Sequence, residues 1–115
     1  MTPLTSILSF SLNEHTYPVI AALNKKYSVL SLFLQSWDSS KDINEDFLPE
    51  LNSVLMQETS YAEVSAGEGY SAVAAIYPDE VKIHTKPDEE PVIISIELFK
   101  MCITDWLDFL QSHGR

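Results

Sequence analysis

The apolar residues of this chain change their period along its length, and that change constrains the fold more than any other feature. From Thr16 as far as Gln57 they recur at three- and four-residue steps, from Thr59 to Ile96 they alternate with polar residues, and after Ser95 the longer step returns. A step near 3.6 residues places apolar side chains on one side of a helix, and a step of two places them on one face of a strand. The pattern predicts an α+β fold: an antiparallel β-meander of three to four strands packed against two or three helices, including a C-terminal helix.

Residues 1–12 alternate loosely and fit either a first strand or the lead-in to a helix. From Thr16, the apolar residues Ile20, Leu23, Tyr27, Leu30, Leu34 and Trp37 fit one helical stripe, with Pro18 tolerated in the first turn. A competing reading breaks this segment at Lys25-Lys26 and makes Tyr27–Leu34 a strand; its single β-branched residue favours helix. Residues 38–46 are polar and predict a loop, with Asp42 or Asn44 capping a second helix and Glu45 completing an Asp-x-x-Glu pattern. Pro49 places the start of that helix near Leu48, and its end falls near Gln57.

Four strand candidates follow, at 59–66, 70–77, 80–85 and 91–96. Gly67-Glu68-Gly69, Tyr77-Pro78-Asp79-Glu80 and the stretch from Lys86 to Pro91 punctuate them, and links this short imply antiparallel neighbours. Val81 and Ile83 are assigned to the core, and Lys82, His84 and Lys86 to a solvated face. In the last helix Ser95 is the cap, Phe99, Cys102, Ile103, Trp106, Phe109 and Leu110 form the stripe, and Gly114 lies just past the end.

A chain of 115 residues with 45% apolar residues supports one hydrophobic core, so residues 1–115 are read as a single domain. The lone Cys102 excludes an internal disulfide, and with no basic leader and no apolar run of membrane-spanning length, the cytoplasm is the expected location. Catalytic and cofactor readings find little support. Cys102 falls on the apolar side of a helix, where a thiol is a packing residue. His15, His84 and His113 form no metal-ligand spacing, and no metal or cofactor is expected. Gly67-Glu68-Gly69 carries an anion where a phosphate would sit, so a hairpin turn explains it better. Trp37 and Trp106 lie on helical stripes as core anchors.

The unusual feature is charge. The net charge is −10, and two stretches account for all of it. Residues 38–68 hold eight acidic side chains against Lys41, and residues 79–90 hold five against Lys82 and Lys86. Such a field repels phosphate backbones and anionic membranes, which argues against direct nucleic-acid or membrane binding. A solubility coat also makes a chain acidic, but it would be spread evenly; blocks of one sign steer a basic protein partner.

The acidic balance, the meander and a closing helix ending in Asp105-Trp106-Leu107-Asp108-Phe109-Leu110 resemble bacterial immunity proteins, the cognate inhibitors of contact-dependent growth inhibition and related polymorphic toxin systems. The resemblance covers the last 55 or so residues in pattern and the rest in charge and size. It implies a non-enzymatic cytoplasmic protein that binds and neutralises a toxin domain, commonly a nuclease. The family varies too much for binding residues to be carried over, so the partner-binding candidates come from charge alone: Asp42, Glu45 and Asp46 in the first block, and Asp79, Glu80, Asp88, Glu89 and Glu90 as phosphate mimics in the second. The alternative function is an acidic adaptor or chaperone-like protein that binds some other basic protein.

Overall fold

A computed structural model describes residues 7–65, 72–84 and 90–115. It is α+β, with a two-stranded hairpin, a four-stranded antiparallel sheet, and helices between which most of the core lies.

Of the two readings of residues 1–12 the first strand is the one that forms, and the first departure from expectation follows it, from Thr16. Strand β1 (Leu8–Leu12) pairs with β2 (Pro18–Ala22), with Phe10 opposite Ile20. The segment from Thr16 to Trp37 is therefore not one helix. The Asn13 side chain closes the hairpin by accepting from the backbone N–H of His15 (2.8 Å) and of Tyr17 (3.0 Å). Pro18, which has no N–H to give, stands at the first residue of β2, where a strand tolerates it. Ile20 is buried because β2 alternates, while Leu23, which the helical stripe also claimed, is 56% exposed. The chain does break at Lys25-Lys26, where a 3-10 turn (Lys25–Tyr27) capped by the Asn24 side chain intervenes. The segment after the break is helix α1 (Ser28–Ser36), which buries Leu30, Phe33 and Leu34. The competing reading thus placed the break correctly and mistook the helix for a strand.

The second departure is at the predicted loop. Ser39, not Asp42 or Asn44, is the cap: its hydroxyl accepts from the Asp42 N–H, and helix α2 (Ser40–Asp42) starts there. A π turn (Ile43–Phe47) leads directly into α3 (Leu48–Leu55), so much of residues 38–46 is helical. Pro49 lies in the first turn of α3; its ring conflicts with a tight turn before it, and the wider π turn accommodates this. The wider turn also keeps Ile43, Phe47 and Leu51 on the buried side at four-residue steps. The run ends at Met56, followed by Gln57 at φ +63°.

The meander forms as the alternation predicts. Strands β3 (Ala62–Ser65), β4 (Val73–Ile76), β5 (Glu80–His84) and β6 (Val92–Ser95) are antiparallel neighbours in sequence order. Val64, Ala74, Ile83 and Ile94 point to the core, together with Val81, whereas Lys82 and His84 are half-exposed on the other face. Lys86 lies outside the described residues, as do Gly67-Glu68-Gly69. Helices α1 and α3 and the last helix, α4 (Ile96–Ser112), contact the inner face. Ser95 caps α4 through the Leu98 N–H at 3.1 Å, and Gly114 takes φ +73° past its end.

Phe33, Phe47 and Phe99, all fully buried, meet with ring centroids 5.6 to 5.9 Å apart, and the Trp37 ring stands edge-on to Phe47 at 5.0 Å. The buried Trp106 indole N–H donates to the Trp37 carbonyl oxygen at 2.7 Å, joining α4 to the end of α1. On the hairpin side, Phe10 meets Trp106 at 5.2 Å and Phe109 at 5.6 Å.

Replacing Trp106 with Phe removes that donor and part of the core volume, leaving a buried carbonyl without its partner. The expected loss is about 2–3 kcal/mol, read as a lower midpoint in chemical denaturation. An unchanged midpoint would mean that this bond does not anchor the helices.

Candidate interaction surfaces

Two described surfaces gather polar side chains without burying them. One is the outer flank of the α2–α3 run. Asp42, Asp46 and Glu50 each directly precede a buried residue, namely Ile43, Phe47 and Leu51, so the three carboxylates repeat at the same four-residue step beside the buried stripe. Glu45 is exposed next to them. Asp42, Glu45 and Asp46 are thus brought to one flank, joined by Glu50, which belongs to the same acidic block. The helix register is what aligns them, and it depends on the π turn.

The second acidic block is divided. Asp79 and Glu80 lie in the turn from β4 to β5, closed by the Tyr77 N–H donating to the Glu80 carbonyl at 2.9 Å. Glu90 is exposed ahead of β6. Because β5 and β6 are antiparallel, with Ile83 opposite Val92, Glu90 belongs to the far end of the sheet, about 17 Å of strand away from Glu80. Asp88 and Glu89 lie outside the described residues. Among the described residues only Glu14 and Glu80 come within 4.0 Å of a cationic or histidine side chain, His15 and Lys82 respectively, so the helix flank carries no ion pair of its own.

The other surface is the face of the four-stranded sheet turned away from the helices, which charge counting did not single out. One row across it reads Glu63, Ala75, Lys82 and Ile93. Ile93 is 53% exposed. Tyr61 and Tyr77 stand at one end with ring centroids 5.2 Å apart. The Tyr61 hydroxyl donates to Glu63 at 2.7 Å. That bond, followed by desolvation and the nearby negative charge of Glu63, raises the Tyr61 phenol above its ordinary 10.0. The alternation of Tyr61, Glu63 and Ser65 was the available signal, since it assigns all three to one side of a strand.

Residues weighed for chemistry sit apart. Burial, with a smaller contribution from Asp105, pushes the Cys102 thiol up to about 12, which leaves it un-ionised and unreactive at neutral pH. Asp105 is raised by its own desolvation and by Asp108 one helical turn on. His15 is in the hairpin turn, His84 on the sheet, and His113 at the end of α4 with its ring 4.5 Å from Phe109. Among the described residues no group of three or more His, Cys, Asp or Glu side chains is placed to hold a metal ion, and no helix is long and apolar enough to cross a membrane. Compared with known proteins, the chain matches no family, no curated protein and no solved structure.

Two measurements check these environments. In Glu63→Gln the Tyr61 phenol loses both a charged acceptor and a neighbouring anion, so its pKa should fall toward 10.0 in an NMR titration. For Cys102 the folded state holds its proton more tightly than the unfolded state, so stability falls as pH rises past about 9.0 toward about 12. The stability gap between the wild-type protein and Cys102→Ala should therefore narrow over that window; a constant gap would place the thiol in contact with solvent.

Proposed function

We propose that this protein is an immunity-type inhibitor that binds a cognate toxin domain, a nuclease, through its acidic helix flank and blocks the path of the substrate. The observation that carries this reading is the alignment of exposed Asp42, Asp46 and Glu50, with Glu45 beside them and, among the described residues, no ion pair to any of the four. A nuclease cleft concentrates Lys and Arg to hold phosphates. A row of carboxylates on a rigid helix presents fixed negative charge to such a cleft at little cost in ordering, and steers the encounter over distances near the Debye length. Asp79 and Glu80, at one end of the sheet, and Glu90 at the other add to the field without belonging to the same row.

The test is protection in trans. Cells expressing the neighbouring open reading frame as the toxin should be rescued by the wild-type chain. They should not be rescued by the triple variant Asp42→Asn, Asp46→Asn, Glu50→Gln, which leaves the core untouched. With the purified pair, the association rate should fall steeply as salt rises, and the triple variant should associate roughly tenfold more slowly at low salt. An association rate independent of salt would remove the electrostatic basis of the reading. Capture of a basic protein that is not toxic, with the same salt dependence, would assign the adaptor role instead.

A further inference from the structure

The sheet face turned away from the helices carries two tyrosine–glutamate pairs, and among the described residues only one of them holds a cation. Lys82 Nζ lies 5.5 Å from the centroid of the Tyr77 ring and 3.7 Å from Glu80 Oε2, so ring and carboxylate share one ammonium group. Beside it, the Tyr61 ring packs at 5.2 Å from Tyr77, and Glu63 is tied to the Tyr61 hydroxyl. No described cationic side chain reaches Glu63 within 4.0 Å or lies over the Tyr61 ring. Tyr61 is 44% exposed.

We propose that Tyr61 and Glu63 receive an arginine side chain of a basic partner protein, its guanidinium lying on the Tyr61 ring and donating to the Glu63 carboxylate. The chain makes the equivalent arrangement internally with Lys82 on Tyr77 and Glu80, which shows the geometry to be compatible with this sheet. A planar guanidinium suits the open pair better than an ammonium group, because it can stack on a ring and still direct N–H donors sideways at a carboxylate. The hydrogen bond from Tyr61 holds that carboxylate in place. Ala75, across from Glu63 on the next strand, is itself only 7% exposed, so the contact is confined to the Tyr61 ring and the Glu63 carboxylate, with exposed Ile93 further along the row. A second copy of this chain is a poor source of the guanidinium. Its sole arginine, Arg115, already donates to the Thr16 carbonyl at 2.7 Å and lies 4.7 Å from the Tyr17 ring, and a net charge of −10 opposes self-association.

This inference rests on the reading of the partner as a basic protein and adds a contact separate from the helix flank. It is tested on the isolated chain with N-acetyl-arginine amide, followed by NMR, with N-acetyl-norleucine amide as the uncharged control. The expected result is saturable movement of the Tyr61 ring and Glu63 signals with the arginine probe alone. Tyr61→Ala or Glu63→Gln should weaken it roughly two- to fivefold, and the triple flank variant should leave it unchanged. Movement centred on Asp42 to Glu50, equal movement at every exposed carboxylate, an unaltered response in Glu63→Gln, or no response beyond that of the control would each overturn the proposal. Because the toxin takes no part, failure here leaves the protection assay to decide the helix flank, and failure of that assay leaves this site standing on its own titration.

Discussion

The Trp106 indole N–H bonded to the Trp37 carbonyl holds this fold in register. It sits where three parts of the chain meet: the end of α1, the middle of α4, and, through Phe10 against the Trp106 ring, the β1–β2 hairpin. A buried donor and acceptor left apart would each carry a desolvation cost, so the pair admits few alternative placements of α4 against α1. The ring of the same Trp37 packs on Phe47, which brings the α2–α3 run into the cluster formed with Phe33 and Phe99. The helix that carries the acidic flank is thereby anchored to the helix that closes the chain.

On the proposed function that anchoring matters, because charge recognition is only as specific as the frame that holds it. Carboxylates on a loose loop lose conformational freedom on binding, whereas those on a packed helix have already lost it on folding. The buried residues Ile43, Phe47 and Leu51 fix one side of the run, and the outward flank follows from them. The sheet face works in the same way: Val64, Ala74, Val81, Ile83 and Ile94 are held from below, and this sets the height and spacing of Tyr61, Glu63, Lys82 and Ile93 above. The two surfaces differ in chemistry. One is a row of bare charge, and the other combines aromatic rings, an exposed aliphatic side chain and internally satisfied polar groups, a mixture characteristic of the centre of a protein interface.

Legibility in the sequence followed the strength of the local signals. The meander and α4 could be read because turns, alternation and the Ser95 cap agree with one another. The N-terminal third could not, because Ile20 and Leu23 fall by coincidence on the helical step of Leu30 and Leu34, and the decisive signals were two short polar side chains, Asn13 and Asn24, which close turns by bonding to backbone N–H groups. Ser39 was passed over as a cap for a similar reason: Asp42 offered the same chemistry closer to Pro49.

The sequence by itself determined the α+β class, the four alternating segments and short turns of a meander, the buried stripe of α4 and the division of the charge into two blocks, since each depends on neighbours within a few residues. Only the tertiary structure decided which carboxylates share a surface. Helix register, set by the π turn under Pro49, gathered Asp42, Glu45, Asp46 and Glu50, while antiparallel pairing sent Asp79 and Glu80 to one end of the sheet and Glu90 to the other. Pairing across strands likewise made neighbours of Tyr61 and Tyr77, sixteen positions apart. A linear pattern records how side chains alternate along one element; which elements lie side by side is settled by burial of the core, and that is a property of the whole chain.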